Sequence, residues 1–132
     1  MITKEIIKIA SDTKNIGLTN KFNFKSSLKN SICGDKIKLE LIVKNLKINS
    51  MKYETESCIY CEASASLLSK NVKNLNVKSA IKDLNKIKEI IYNNKFTLPV
   101  NFKEFKVLIN KKNINRIKCI NLPFDAVLKA LR

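Results

Sequence analysis

Apolar residues recur with two different periods along this chain, and the changes of period mark its elements. Over residues 3–11, Ile6, Ile7 and Ala10 give one apolar side, which predicts a short helix. Lys14-Asn15-Ile16-Gly17 ends it, with Gly17 as the turn residue. Phe22 and Phe24 alternate with Asn23 and Lys25, so residues 21–29 read as a strand. The clearest alternation follows: Ile37, Leu39, Leu41 and Val43 against Lys38, Glu40 and Lys44, with Ile42 the one apolar intruder. A strand with one covered face in an antiparallel sheet has this pattern. Asn45-Leu46-Lys47 predicts a tight turn, since Asn tolerates the positive φ that hairpins need. Residues 48–55 return as the partner strand, and their poor alternation (Ile48, Met51, Tyr53) predicts a bulge or an edge position.

From Cys58 or Ile59 to Val72 the period becomes helical, with Cys61, Ala65 and Leu68 on one stripe. The run Ala63-Ser64-Ala65-Ser66 is small enough for this helix to sit close against the sheet. A second helix is expected over 78–92, with Ile81, Leu84, Ile87 and Ile91 as its stripe and Asn93-Asn94 as its stop. Thr97-Leu98-Pro99-Val100 reads as a loop. Asn101 is the expected N-cap of a helix from Phe102 to Ile109, with Glu104 completing a capping pair. Residues 113–131 are expected to be mostly helical, with a break or kink near 121–122 imposed by Pro123.

Composition narrows the class. A chain of 132 residues is the size of one domain, and no repeat or linker divides residues 1–132. No apolar run approaches the ~20 residues of a membrane span. The start, Met1-Ile2-Thr3-Lys4-Glu5, lacks a signal-peptide pattern, which predicts a cytoplasmic protein whose thiols stay reduced. Four cysteines in that setting favour metal or thiol chemistry over a disulfide framework. The net charge of +15 raises nucleic acid as a partner. Against it, only Arg116 and Arg132 among 26 basic residues are arginine, the side chain that forks onto phosphates and bases. The lysines are scattered and accompany an excess of Ile and Asn, as AT-rich coding would produce.

The candidate chemistry lies between Ser31 and Ser66, completed by Cys119. A strand out and a strand back return Cys58 to the neighbourhood of Cys33 and Asp35. Asp35 follows Cys33 by two residues, so in extended chain both side chains face one side, and Gly34 leaves room for a close approach. The helix start sets Cys58 near the positive end of a macrodipole. Arg116 and Lys118 flank Cys119 and are expected to lower its pKa. Three thiolates and a carboxylate match a four-coordinate zinc, and three thiolates are the larger part of an iron–sulfur cluster's ligation. A carboxylate oxygen is a poorer donor to iron–sulfur chemistry, and it makes a bound cluster easier to release. Each residue also has a plain structural reading. Cys33 is then a buried strand-end thiol, Asp35 a turn residue, Cys58 and Cys61 small core residues, and Cys119 a packed helix thiol. A thioredoxin-like reading of Cys58-x-x-Cys61 lacks both a Pro or Gly between the cysteines and a surrounding βαβ pattern.

At these residues the chain resembles the NifU/IscU/SufU family of iron–sulfur cluster scaffold proteins. Lys14-Asn15-Ile16-Gly17 resembles the family's basic-Asn-x-Gly turn, and Asn30-Ser31-Ile32-Cys33-Gly34-Asp35 its Asn-Pro-x-Cys-Gly-Asp motif, with Ser31 where Pro is common. The stretch from Ser57-Cys58 to Ala63-Ser64-Ala65-Ser66 resembles the Gly-Cys-x-x-x-x-Ala-Ser-Ala-Ser block, with Ser57 for Gly. Arg116-Ile117-Lys118-Cys119-Ile120-Asn121-Leu122 resembles the closing Arg-x-x-Cys-x-x-Leu block. Lys118 stands where IscU proper carries His, and the interval from Cys58 to Cys119 is long, so the SufU-like branch is the nearer one.

The resemblance implies an α+β fold, a small antiparallel sheet of about three strands packed against several helices. It implies ligand roles for Cys33, Asp35, Cys58 and Cys119, and none for Cys61. The function it implies is a scaffold or carrier that takes sulfur from a cysteine desulfurase, with Cys119 as persulfide acceptor. A labile cluster of the [2Fe-2S] type would be built and passed to recipient apo iron–sulfur proteins. A zinc-dependent sulfurtransferase is the alternative on the same ligands. A basic nucleic-acid-binding protein is the remote third reading, and no membrane partner is expected.

Overall fold

The structure, a computed structural model, describes residues 2–93 and 97–132. Its elements in order are α1 (Lys4–Ala10), β1 (Phe24–Lys29), β2 (Lys36–Lys44), β3 (Lys47–Glu56), α2 (Ile59–Asn71) and α3 (Val77–Asn93). Two 3-10 segments, Val100–Val107 and Lys111–Arg116, lead into α4 (Ile117–Ala130). The class is α+β, with one antiparallel sheet in the order β1-β2-β3. Among the described residues, no helix is long and apolar enough to cross a membrane.

The alternation in β2 does what its period requires. Ile37, Leu39 and Leu41 are buried, opposite Thr55, Tyr53 and Met51 of β3 and Leu28, Ser26 and Phe24 of β1. Lys36 and Lys38 point the other way and are exposed. Between Ile42 and Val43 the register shifts, because Ser50 pairs with Ile42 while Ile48 pairs with Val43, which leaves Asn49 as an extra residue. β3 is thus both bulged and at the edge of the sheet, as its irregular pattern requires. Residues 15–17 partly cover that edge: Gly17 N–H donates to the Tyr53 carbonyl (2.9 Å) and Tyr53 N–H to the Asn15 carbonyl (3.1 Å).

The hairpin turn has φ of 53° at Asn45 and 65° at Leu46. Asn adopts this conformation readily, whereas a Leu side chain there meets its own backbone. Leu46 is also 72% exposed, so nothing is gained by burying it. Leu46→Gly should therefore raise the stability by about 0.5–1 kcal/mol, read as a higher urea midpoint at unchanged m-value. An unchanged or lower midpoint would contradict the strain.

α2 is buried on almost every side: of its residues, Tyr60, Cys61 and Ala63 through Ser69 are all inaccessible. The Ala-Ser-Ala-Ser run permits α1 and α4, as well as β3, to approach it. Two of its hydroxyls have partners: Ser64 Oγ donates to the Ile120 carbonyl of α4 (2.7 Å), and Ser69 Oγ to the Ser66 carbonyl (2.7 Å). In α3, Ala80, Leu84, Ile87 and Ile90 are buried and Ile81 is half-buried. The Ile91 side chain and Asn94 lie outside the described residues.

Two expectations for the C-terminal third are corrected. Asn101 does not cap an α-helix: the segment is a 3-10 turn preceded by Pro99, without a side-chain cap, and Phe102 has non-helical angles (φ −123°, ψ 23°). Phe102 and Phe105 must both enter the core, and a three-residue repeat puts positions three apart on one face. Nor does the chain break at 121–122, for α4 runs unbroken through Pro123. Pro123 has no N–H to return to the Cys119 carbonyl four residues earlier, so the helix tolerates one missing rung. Burial of Leu122, Pro123 and Phe124 holds the helix together across the gap.

Candidate metal and sulfur site

The hairpin register places Lys36 opposite Glu56, so the residue before β2 and the residue before α2 meet at one end of the sheet. Asp35 is the link. Its carboxylate accepts the Cys58 N–H (3.1 Å) through Oδ1 and the Cys58 thiol (3.4 Å) through Oδ2. Cys58 is the N-cap of α2 and caps nothing with its own side chain. A buried carboxylate at this helix start is favourable to the unpaired amide dipoles there.

Cys33 and Asp35 do not share a face by lying in extended chain, as the two-residue spacing suggested. Residues 31–33 form a turn, closed by Gly34 N–H to the Asn30 carbonyl (2.7 Å) and Asn30 N–H to the Asp35 carbonyl (2.7 Å). Gly34 serves that turn through its φ of 77°, which L side chains rarely adopt. Among the protein's own atoms the backbone angle is what calls for glycine, since a Cβ here would meet none of them within 4 Å. The turn leaves Cys33 exposed while Asp35 is 5% exposed.

Cys119 arrives from the other side, in the first turn of α4, and is buried. Its sulfur lies 3.9 Å from that of Cys33. The Cys33 and Cys119 sulfurs and an Asp35 oxygen all lie within 4.8 Å of one another, and Cys58 joins this trio through Asp35. The four residues singled out in the sequence are therefore brought together from a turn, a strand start and two helix starts.

The electrostatics differ from the expectation for Cys119. Burial first, and then the neighbouring Cys58, Asp35 and Cys33, push its thiol up. Arg116 and Lys118 do not offset this: both side chains are exposed, and the Arg116 guanidinium lies over the Tyr60 ring, 5.6 Å from its centroid. A cation held among these groups would supply the positive charge that the flanking residues do not. The donor set is suited to one: sulfur-rich, one oxygen, with the acidic and thiol groups otherwise crowded against each other.

Cys61 stays apart, as its second reading held. It is fully buried in the core, and burial raises its thiol to about 12, with smaller contributions from Asp35, Cys58 and Cys33. Two supporting residues had no signal in the sequence. Ser64, within the small-residue run, ties α2 to α4 one residue after Cys119. Glu40, on the polar phase of β2, is only 4% exposed; it accepts from Thr19 N–H (2.8 Å) and Asn20 N–H (3.0 Å) and so fixes the loop that crosses the outer face of the sheet. Its donors lie 21 and 20 residues upstream, beyond any local pattern.

Comparison with known proteins bears on the family and the fold. The family model of the NifU-like N-terminal domain matches residues 1–130. The crystal structure of a nitrogen-fixing NifU-like protein (N-terminal) from Brucella abortus is similar with a TM-score of 0.89 at 19% identity, covering 98% of this chain and 91% of that one. A candidate iron-sulfur cluster assembly scaffold protein for the SUF system (FiSufU), from thermophilic Fervidobacterium islandicum AW-1, is similar with a TM-score of 0.77 at 20% identity, covering 99% of this chain and 96% of that one. At these identities the likeness is one of fold. No curated protein matches the chain.

Proposed function

Since the chain belongs to the NifU-like N-terminal domain family, we propose that it is a cytoplasmic scaffold or carrier on which an iron–sulfur cluster is assembled and then passed on. The observation that carries this reading is the convergence of two cysteine sulfurs and an Asp35 oxygen within 4.8 Å, with Cys58 bonded to the same aspartate. Cys33, Cys58 and Cys119 offer thiolates to the cargo, a cluster of the [2Fe-2S] type, and Asp35 offers the one hard, exchangeable donor. A cysteine desulfurase supplies the sulfur, Cys119 receives it as a persulfide, and recipient apo iron–sulfur proteins take the finished cluster. The test is anaerobic reconstitution with ferrous iron and sulfide, followed by visible absorption. The wild type should become coloured with iron and sulfide in equal amounts, and Cys119→Ser should not. A colourless wild type that retains tight zinc counts against the scaffold.

One distance favours a second use of the same ligands. Thiolates on a tetrahedral zinc, with Zn–S of about 2.3 Å, lie about 3.8 Å apart, and the Cys33 and Cys119 sulfurs are 3.9 Å apart. A zinc-dependent sulfurtransferase would hold its acceptor thiolate in this way until the desulfurase displaces it. Desulfurase turnover with zinc-loaded and zinc-free protein separates the two readings: equal stimulation by both removes the zinc role.

A further inference from the structure

Sulfur taken from a persulfide is one reduction step short of the sulfide that a cluster contains, so some group must supply an electron pair. We propose that Cys33 is a resolving thiol: it attacks the inner sulfur of a persulfide carried on Cys119 and releases sulfide into the site, leaving a Cys33–Cys119 disulfide. The inference rests on the scaffold reading only for the source of the sulfur.

Cys33 and Cys58 both lie against Cys119, and the geometry favours Cys33. The two sulfurs are 3.9 Å apart, slightly beyond the ~3–3.5 Å of a near-attack arrangement. Closing to a disulfide bond requires one of them to move by about 2 Å. Cys119 is fixed in the first turn of α4 and buried, whereas Cys33 is exposed, on the 31–33 turn beside Gly34. That turn, not the helix, can supply the movement. Cys58 is less free, since Asp35 holds both its N–H and its thiol. Cys61 is buried in the core below the site.

The step balances without another reactant. Cys33 gives up its proton and forms a sulfur–sulfur bond to Cys119. The bond between Cys119 and the outer sulfur breaks, its electron pair leaves with the outer sulfur, and the proton from Cys33 makes that product hydrosulfide. The disulfide takes two thiolates out of the ligand set, so an external dithiol must reopen the site before cargo is held.

The test needs neither iron nor a desulfurase. The full chain, reduced and freed of metal by a chelator, is given a brief, substoichiometric pulse of inorganic tetrasulfide without air, desalted, and followed by intact mass, sulfide trapping and non-reducing peptide mapping. Wild type and Cys61→Ala should pass from a species heavier by one sulfur to one lighter by two hydrogens than the reduced protein. Sulfide should appear in step, and a Cys33–Cys119 linked peptide should be recovered and be opened by dithiothreitol. The displacement is symmetrical, so Cys33→Ser and Cys119→Ser should each keep the added sulfur and release sulfide about tenfold more slowly or worse. Cys58→Ser should still form the link. A link joining Cys58 to Cys119, release from Cys33→Ser at the wild-type rate, or no added sulfur on either Cys33 or Cys119 would each overturn the assignment. Protein that resolves the persulfide yet fails reconstitution loses the scaffold reading and keeps this chemistry; protein that reconstitutes but never forms the link loses this inference alone.

Discussion

Asp35→Ala is expected to give a folded protein that hands its cluster to an apo acceptor at least about tenfold more slowly than wild type. The reasoning starts from the donor atoms. Three thiolates are soft, matched donors to iron, and the carboxylate oxygen is the mismatched one, so it is the first to leave when another protein's ligand arrives. Removing it takes away the exchangeable position and leaves the three better ligands in place. The same carboxylate accepts the N–H and the thiol of Cys58 at the start of α2. Its loss should therefore also lower the stability of the metal-free protein by about 1–3 kcal/mol, the cost of leaving a part-buried donor without its charged acceptor. That is short of unfolding a domain of ordinary stability, about 5–15 kcal/mol. Anaerobic transfer to an apo-ferredoxin, followed by circular dichroism, reads the first effect, and urea unfolding of the apo form reads the second. Transfer at the wild-type rate sinks the release role. A variant that no longer folds at all would mark Asp35 as part of a structural centre instead.

The second large effect lies in the core and not at the ligands. Phe124 is fully buried in α4, with its ring edge-on to Phe105 at 5.0 Å. Phe124→Ala removes the ring and leaves a cavity, which should cost about 3–5 kcal/mol. Phe124→Leu, which nearly keeps the volume, should cost less than about 2 kcal/mol. The consequence reaches the site because α4 already lacks the rung that Pro123 cannot make to Cys119, and packing replaces it. Urea midpoints at matched m-values measure both variants, and metal affinity of the Ala variant should fall alongside its stability. A loss below about 1 kcal/mol for Phe124→Ala would mean that the core closes over the gap and that this packing does not hold α4.

How far the sequence could be read depended on whether the deciding interaction was local. The alternation of Ile37, Leu39 and Leu41 fixes which face of β2 is buried, because side chains two apart lie on one side of a strand. The failing alternation after Asn45 is the bulge itself, seen as sequence. The expectation for Asn101 failed where the rings of Phe102 and Phe105 compete with a capping preference worth about 1 kcal/mol. Burying two aromatic side chains outweighs it, and a three-residue repeat serves them better. Pro123 failed as a helix breaker for the same reason: its cost is met by the burial of its neighbours.

The candidate site divides along the same line. That Cys33, Asp35 and Cys58 meet is contained in the chain between Ser31 and Ser66, because one hairpin with a fixed register must bring its two ends together. That Cys61 is not among them follows from a stripe of buried residues on one helix. The approach of Cys119, 86 residues from Cys33, is a property of the packed structure: α4 packs on the sheet and on the small residues of α2, where Ser64 bonds to Ile120. The state of the Cys119 thiol was likewise decided in three dimensions. In sequence its neighbours are Arg116 and Lys118; in the fold they are Cys58, Asp35 and Cys33, and burial among these groups raises what the flanking cations were expected to lower. Short-range periodicity determines faces and turns, and charge acts through space, so only the tertiary structure could say which charges Cys119 meets.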